Sequence, residues 1–455
     1  MTADWQHSVA ILGSGESGMG AARLAVSHGL SVFLSDGGSI APEKTIALKS
    51  LGVDLEENGH TVADLIKCKE VVKSPGIPDT APVVQAIKAA GIPVISEIEF
   101  ASRYTDAKII GITGSNGKTT TTLLTTHLLK GAGVDAKSAG NVGNSFSELL
   151  LDGDPDVVVL ELSSFQLDDI ANFKPDVAVL LNITPDHLNR YDYDMSKYAA
   201  AKWRLFENMT EDGLVIYNQD DEWSSKGVAE VTARKQAISV MQAVTSGAYF
   251  SQGQLNFTEE EEVILTDELA LIGQHNYYNQ MAAILAAMEL GVSFQYILSG
   301  LQSFVNAPHR LEKVGVVNDV TYINDSKATN VDAVYYALDA VDTPIVWIAG
   351  GVNKGNDYAQ IKSLVQERVT TLICLGKDNA HLIDEFSGDV EQIIEVSSAA
   401  EAVTIAYQNA KPQESVLLSP ACASFDLFSN YEDRGDQFKR EVFELKTSQS
   451  KVLRG

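Results

Sequence analysis

The chain has 455 residues, 45% of them hydrophobic and 21% charged, the usage of a globular protein with room for about two to four domains. Its 34 Lys and Arg against 61 Asp and Glu leave a net charge of −27, which argues against a general nucleic-acid binder but leaves space for a local basic pocket. Three widely spaced cysteines, Cys68, Cys374 and Cys422, exclude a disulfide framework and a cysteine zinc site. No apolar run is long enough for a membrane span, and no signal-peptide pattern opens the chain, so a cytoplasmic protein is expected.

Short β-branched runs, Gly-rich loops and helical periodicity alternate along the chain, the βαβ pattern of parallel sheets covered on both faces. This predicts an α/β protein in three blocks, residues 1–97, 98–307 and 308–455. The first opens with strand Val9–Leu12, then Gly13-Ser14-Gly15-Glu16-Ser17-Gly18 and a helix with Met19, Ala22 and Val26 on one face. Further strands are expected at Ser31–Leu34, Glu70–Val72 (followed by the turn Ser74-Pro75-Gly76) and Pro93–Ile95. The GxGxxG loop, with Asp36 at the end of the next strand, fits a dinucleotide fingerprint in which the acid meets a ribose hydroxyl.

In the second block, strand Lys108–Ile112 leads into Gly111-Ile112-Thr113-Gly114-Ser115-Asn116-Gly117-Lys118-Thr119-Thr120, and a helix runs from Lys118 to near Gly131. A Gly-rich loop between strand and helix lets amides reach phosphate, adds the helix dipole, and supplies Lys118 as cation and Thr119 as an Mg²⁺ ligand. The spacing is GxxGxxGKT, with Ile112 where the usual pattern has its first Gly. The buried strand Val157–Leu160 ends in Glu161, placed beside the loop to hold Mg²⁺. Strand Val177–Leu181 runs into Asn182-Ile183-Thr184-Pro185-Asp186-His187, where His187 reads as metal ligand, substrate contact or structural side chain. Lys197, Lys202 and Arg204, in the helical stretch Tyr198–Phe206, read as a solvated basic face. The stretch Tyr249–Ile272 suggests antiparallel hairpins, and Glu259–Glu262 a solvated turn.

The third block has expected strands at Val320–Ile323, Pro344–Ile348, Thr371–Leu375 and Ser415–Leu418, with a helix carrying Val331, Val334, Tyr335 and Leu338. Polar loops follow several of them: Asn324–Asn330, Gly350–Gly355 and Ser419–Ser424. Arg310 lies near the junction of the second and third blocks. Together these loops read as a ligand surface at a sheet edge. Two nucleotide-type loops in one chain mean either two nucleotides or a nucleotide-like substrate. An NAD-dependent oxidoreductase would explain the first loop only, and a plain NTPase the second only.

Taken together, Gly114–Thr120, Glu161-Leu162-Ser163-Ser164-Phe165-Gln166-Leu167, Asp186-His187, Gly273-Gln274-His275-Asn276-Tyr277, Asn324–Asn330 and Ser419–Ser424 resemble the Mur ligase family of ATP-dependent amide-forming enzymes across essentially the whole chain. Another amino-acid ligase of the family, or an enzyme like folylpolyglutamate synthase, is the neighbouring alternative. The resemblance implies a Rossmann-like domain for a UDP-substrate, a central P-loop-type ATPase domain with a parallel sheet, and a Rossmann-like third domain that closes over ATP. It implies ATP-driven joining of D-glutamate to UDP-N-acetylmuramoyl-L-alanine through an acyl phosphate, in peptidoglycan precursor synthesis, by a monomer.

The resemblance also implies residue roles. Ser14, Gly15, Glu16, Ser17, Asp36, Asn141, Ser163 and Gln166 would hold the UDP-substrate; Ser35-Asp36-Gly37-Gly38 lacks the basic residue some relatives carry after the acid. Gly114, Ser115, Asn116, Gly117, Lys118, Thr119, Thr120, Asn276, Asn279, Arg310, Asp325 and Lys327 would bind ATP. Thr329, Lys354, Ser424 and Tyr431 would hold D-glutamate, with Tyr431 standing where close relatives have Phe. Two Mg²⁺ ions are implied, with Thr119 and Glu161 on one and His187 on the second. Lys202, matching the lysine the family carbamylates, would join His187. Lys118, His187 and Lys202 would be the catalytic residues. Cys422 reads as a small packed side chain, since no step needs a thiolate.

Overall fold

The computed structural model describes residues 6–141, 143–266, 269–271, 273–353 and 355–452. Among them the strands form three sheets. The first is fully parallel, ordered β3-β2-β1-β4-β5, from β1 (Val9–Leu12), β2 (Val32–Ser35), β3 (Asp54–Glu56), β4 (Val71–Lys73) and β5 (Val94–Ser96). Strand β1 is followed by a crossover to β2 on one side and pairs with β4 on the other, so the crevice between the ends of β1 and β4 is the topological switch point, where open α/β sheets bind ligands.

The second sheet is built from β6 (Lys108–Thr113), β7 (Ala136–Gly140), β8 (Val157–Glu161), β9 (Val177–Leu180), β10 (Leu214–Asn218), β11 (Arg234–Ser239), β12 (Gly247–Ser251), β13 (Gln254–Phe257) and β14 (Val263–Leu265). Its order is β14-β13-β12-β11-β10-β9-β6-β8-β7. It is parallel from β7 to β12 and antiparallel at the β12-β13-β14 edge, where the alternating stretch predicts hairpins; Asp267, Glu268 and Ile272 of that stretch lie outside the described residues. Strands β6, β8 and β9 are almost wholly buried, which explains their unbroken apolar runs.

The third sheet runs β15-β16-β20-β17-β18-β19. Its strands are β15 (Glu312–Val317), β16 (Val320–Asn324), β17 (Ile345–Ala349), β18 (Val369–Leu375), β19 (Gln392–Val396) and β20 (Ser415–Leu418). Only the β15/β16 hairpin is antiparallel. The chain divides into two compact units. One comprises residues 1–270 and 276–304 and holds the first two sheets; the other comprises 271–275 and 305–455 and holds the third.

Inside the first unit the two sheets share a core. Ile98, Phe100 and Ala101, on the helix Glu97–Ala101, pack in one cluster with Phe146, Leu149 and Leu160. Polar ties are as dense. The Glu99 carboxylate accepts from the backbone amides of Ala171, Asn172 and Phe173 at 2.7 to 3.0 Å, Arg23 pairs with Glu148 at 2.8 Å, and Ser96 N–H donates to Asp169 O at 2.8 Å.

Candidate active site

The loop 114–117 and the helix Lys118–Gly131 that follows stand at the C-terminal end of β6. Gly117, at φ +85°, caps the helix, and a Cβ there would collide with the Asn279 side chain. Only glycine serves both the left-handed turn and the close approach. The loop after β9 braces the phosphate loop. Asn116 N–H donates to Asn182 Oδ1 at 2.8 Å, and Ser115 Oγ links to Thr184 O at 2.8 Å and Thr184 N at 2.9 Å. Asn279 accepts from Thr121 Oγ1 at 3.2 Å and donates to Asn276 Oδ1 at 3.2 Å. The structure thus brings Gly114–Thr120, Asn276 and Asn279 together in one unit.

Two lysines meet on this loop. Lys118 Nζ donates to Gly114 O at 2.7 Å and Ser115 O at 2.9 Å, and Lys202 Nζ donates to the same Gly114 O at 2.8 Å. Lys202 is 1% exposed, which corrects its reading as part of a solvated face. The helix Met195–Trp203 turns Tyr198, Ala199, Ala201 and Lys202 inward, leaving Lys197 outside to pair with Asp192. Arg204 donates to the carbonyls of Asp168 and Ile170 at 2.7 and 2.5 Å. Burial first, and the Lys118 charge second, hold the Lys202 ammonium well below the usual lysine range, against the pull of Asp186, Asp168 and Glu161. That shift favours the neutral amine more than in an exposed lysine.

Glu161 ends β8 next to the loop and is 2% exposed. Its Oε1 accepts from Asn141 Nδ2 at 2.8 Å, while Oε2 is buried with no hydrogen-bond partner. An orphaned carboxylate oxygen beside a phosphate loop fits a hard cation. Among the described residues no group of three His, Cys, Asp or Glu converges. A single free carboxylate oxygen beside a phosphate loop can serve Mg²⁺, which takes one or two carboxylates and completes its shell with water and phosphate oxygens. His187, at φ +52°, is half-exposed, 3.5 Å from Asp186 and edge-on to Phe165.

At the first sheet's switch point, Gly13 (φ +92°) abuts Ser74, whose Oγ would meet a Cβ on Gly13 at 2.8 Å. Asp36 accepts from Ser14 N–H at 2.6 Å and Gly38 N–H at 2.8 Å. These bonds outweigh its burial and lower its pKa. Its carboxylate therefore shapes the loop that Ser14–Ser17 occupy. Ser163 and Gln166 form a capping box on the helix Ser164–Leu167, a structural role that their motif did not reveal. The loop Ser74–Ile77, whose Ser74-Pro75-Gly76 the sequence marks as a turn, had no expected part in the site. It forms the other wall of the crevice, and the Ser-Pro-Gly turn after β4 was the available signal. Arg190 reaches it from the central sheet, its guanidinium 3.4 Å from the carbonyls of Pro75 and Gly76 and 4.4 Å from the centre of the Phe165 ring.

The second unit gathers three loops at one edge of its sheet. Arg434, 1% exposed, donates to Ser326 Oγ and O at 2.9 and 2.8 Å, to Gly350 O at 3.3 Å and to Cys422 O at 3.2 Å. It fastens the loops after β16, β17 and β20, yet nothing in its sequence neighbourhood marks it. Asp325 is buried between Ser419 Oγ (2.9 Å) and Leu311 N–H (3.2 Å), and burial pushes it up to about 7 although both bonds and Arg310 favour its anion. The Lys327 ammonium lies 5.0 Å from the centre of the Tyr431 ring, and Tyr431 O accepts from Ser326 Oγ. Thr329 is half-buried and Ser424 buried; Lys354 lies outside the described residues. Cys422 is packed at 1% exposure.

Parallel sheets with a phosphate loop facing an orphaned carboxylate define a nucleotide-using α/β enzyme. Three family models match the chain: a Mur ligase MurD-like N-terminal domain over residues 7–96, a Mur ligase middle domain over 112–287, and a Mur ligase glutamate ligase domain over 309–422. Among curated relatives, the UDP-N-acetylmuramoylalanine–D-glutamate ligases of Cytophaga hutchinsonii and Christiangramia forsetii are 48% and 47% identical, each covering 96% of this chain and 99% of the relative. Among solved structures, the UDP-N-acetylmuramate-alanine ligase of Thermotoga maritima superposes with TM-score 0.62 at 17% identity, over 97% of this chain and 100% of its own. A pseudomurein peptide ligase from Methanothermus fervidus does so with TM-score 0.60 at 19% identity, over 97% and 100%. The chain belongs to the Mur ligase family and has its α/β, three-domain fold.

Proposed function

We propose that the chain is an ATP-dependent ligase that joins D-glutamate to UDP-N-acetylmuramoyl-L-alanine, releasing ADP and phosphate, in peptidoglycan precursor synthesis. The observation that carries this is the near-full-length identity to relatives bearing that activity in their names. A carboxylate and an amine do not condense in water without activation. The substrate carboxylate therefore attacks the γ-phosphorus of ATP, ADP leaves, and an acyl phosphate forms. The D-glutamate amine then attacks the acyl carbon, and phosphate leaves with the carboxyl oxygen.

The division of labour follows residues 1–97, 98–307 and 308–455. The β1/β4 crevice takes the uridine diphosphate, with Ser14, Gly15, Glu16, Ser17 and Asp36 on its rim; Asn141, Ser163 and Gln166 contact the rest of that substrate. The loop Gly114–Thr120 holds the ATP phosphates, and Lys118 offsets charge on the transferring group. Asn276, Asn279, Arg310, Asp325 and Lys327 complete the ATP site. Thr329, Lys354, Ser424 and Tyr431 hold D-glutamate.

Thr119 and Glu161 would hold Mg²⁺, which when bound neutralises phosphate oxygens. His187 would hold a second ion together with Lys202 in its carbamate form. The neutral Lys202 amine adds to CO₂ and loses a proton, so a neutral amine becomes an anionic carbamate. The chain works in the cytoplasm as a monomer; no helix among the described residues is long and apolar enough to cross a membrane.

The test is phosphate release from Mg·ATP with UDP-N-acetylmuramoyl-L-alanine plus D-glutamate, L-glutamate or neither. Release that requires both the UDP-substrate and D-glutamate is the expected result. Release indifferent to either would make the chain a plain ATPase.

A further inference from the structure

Lys73, the last residue of β4, is buried with its ammonium among three oxygens. These are Ile77 O at 2.8 Å, Asp169 at 2.9 Å and Asp79 at 3.2 Å. Ile77 O accepts a hydrogen bond from the ammonium, and the two carboxylates lie at ion-pair distance from it. The Lys73 and Asp169 side chains are only 2% and 3% exposed, and Lys88 balances the second carboxylate from 2.6 Å on Asp79. The ion pairs join two cations to two anions, and the nearby Asp168 carboxylate has its pKa raised by burial, with Asp169 and Asp79 adding to the effect. Burying such a cluster carries a desolvation cost that an apolar pair would avoid, so its presence calls for a reason other than bulk stability.

Its position supplies one. Lys73 immediately precedes the loop Ser74–Ile77, one wall of the β1/β4 crevice, and its bond to Ile77 O closes that loop. Asp169 lies two residues beyond the helix Ser164–Leu167, whose cap is Ser163 and Gln166. Its backbone carbonyl also accepts from Ser96 at the end of β5. One ion pair therefore sets the spacing between the crevice wall on the first sheet and the Ser163/Gln166 turn on the second.

We propose that Lys73 and Asp169 form a positioning pair that fixes the two segments gripping opposite ends of an extended sugar-nucleotide substrate. Neither side chain touches the reacting atoms. The pair holds the crevice wall and the turn at the distance that lets one rigid substrate meet both, and Arg190, bonded to Pro75 O and Gly76 O, supports the same wall. This rests on the ligase reading above.

The test compares Lys73→Met with the double variant Lys73→Met/Asp169→Leu, which leaves no lone buried charge and guards against a mere folding failure. Misplacement of one wall by a fraction of an ångström is expected to raise KM for UDP-N-acetylmuramoyl-L-alanine about tenfold. KM for ATP and kcat at saturation stay within about twofold, because the phosphate loop is untouched. UDP affinity by calorimetry falls in parallel with the KM change. An unchanged KM for the UDP-substrate in the folded double variant, or a loss of kcat with every KM unchanged, would overturn the pairing while leaving the ligase reading intact. Wild-type protein that neither binds UDP nor ligates would overturn both.

Discussion

Lys202 shows how much chemistry one buried side chain can hold. It sits at hydrogen-bonding distance from Gly114 O, 4.8 Å from the centre of the Tyr198 ring, with the Lys118 charge nearby. Removed from water beside another cation, it favours the neutral amine, the form that captures CO₂. Incubation with ¹³C-bicarbonate is expected to give a carbamate carbon resonance from wild-type protein and none from Lys202→Arg. Spectra alike in the two proteins would rule the modification out. Helical spacing gave this residue no distinction from Lys197 and Arg204. A helix in sequence does not say which face meets the phosphate loop, and burial decided it.

Elements carry the next layer. In all three sheets the parallel strands end at one edge, and the polar loops recognised in the sequence sit there because parallel strands share a direction. Strands with mixed or short apolar runs, such as β3, β7 and β19, are not separable from loops by pattern, since their side chains are only partly buried. The helix Glu97–Ala101 shows what an element adds beyond its residues. The Glu97 carboxylate accepts from Ser147 N–H on the next domain's helix, and burial, outweighing that bond, pushes it up to about 7.

Because this folded pKa exceeds the reference of 4.5, the contribution of Glu97 is full below about pH 4.5 and is lost as pH rises through about 7. The loss amounts to about 3 kcal/mol. Glu97→Gln keeps the shape of the protonated acid and removes this slope. Its denaturation midpoint should match wild type near about pH 4 and exceed it near about pH 8. Parallel pH curves for the two proteins would count against a buried, shifted Glu97.

At the scale of the molecule, the crevice of the first sheet and the phosphate loop of the second belong to separate sheets of one unit, and the third sheet brings its own cluster of loops. Lys118→Ala should therefore reduce phosphate release by about a hundredfold or more while leaving UDP affinity within about twofold. Calorimetry beside a phosphate assay reads both, and equal loss of the two would contradict the separation.

By itself the sequence determined the α/β class, the two Gly-rich loops and Glu161 at its strand end, because glycine spacing and apolar runs are local demands of backbone geometry and burial; the family was legible only as a resemblance carried by its motif strings. The tertiary structure alone decided that Lys202 is buried, that Ser163 and Gln166 cap a helix, that Arg434 fastens three loops, and that Lys73 meets Asp169. Each of these depends on partners far apart in the chain, and pairing across a fold leaves no periodicity in a single sequence to read.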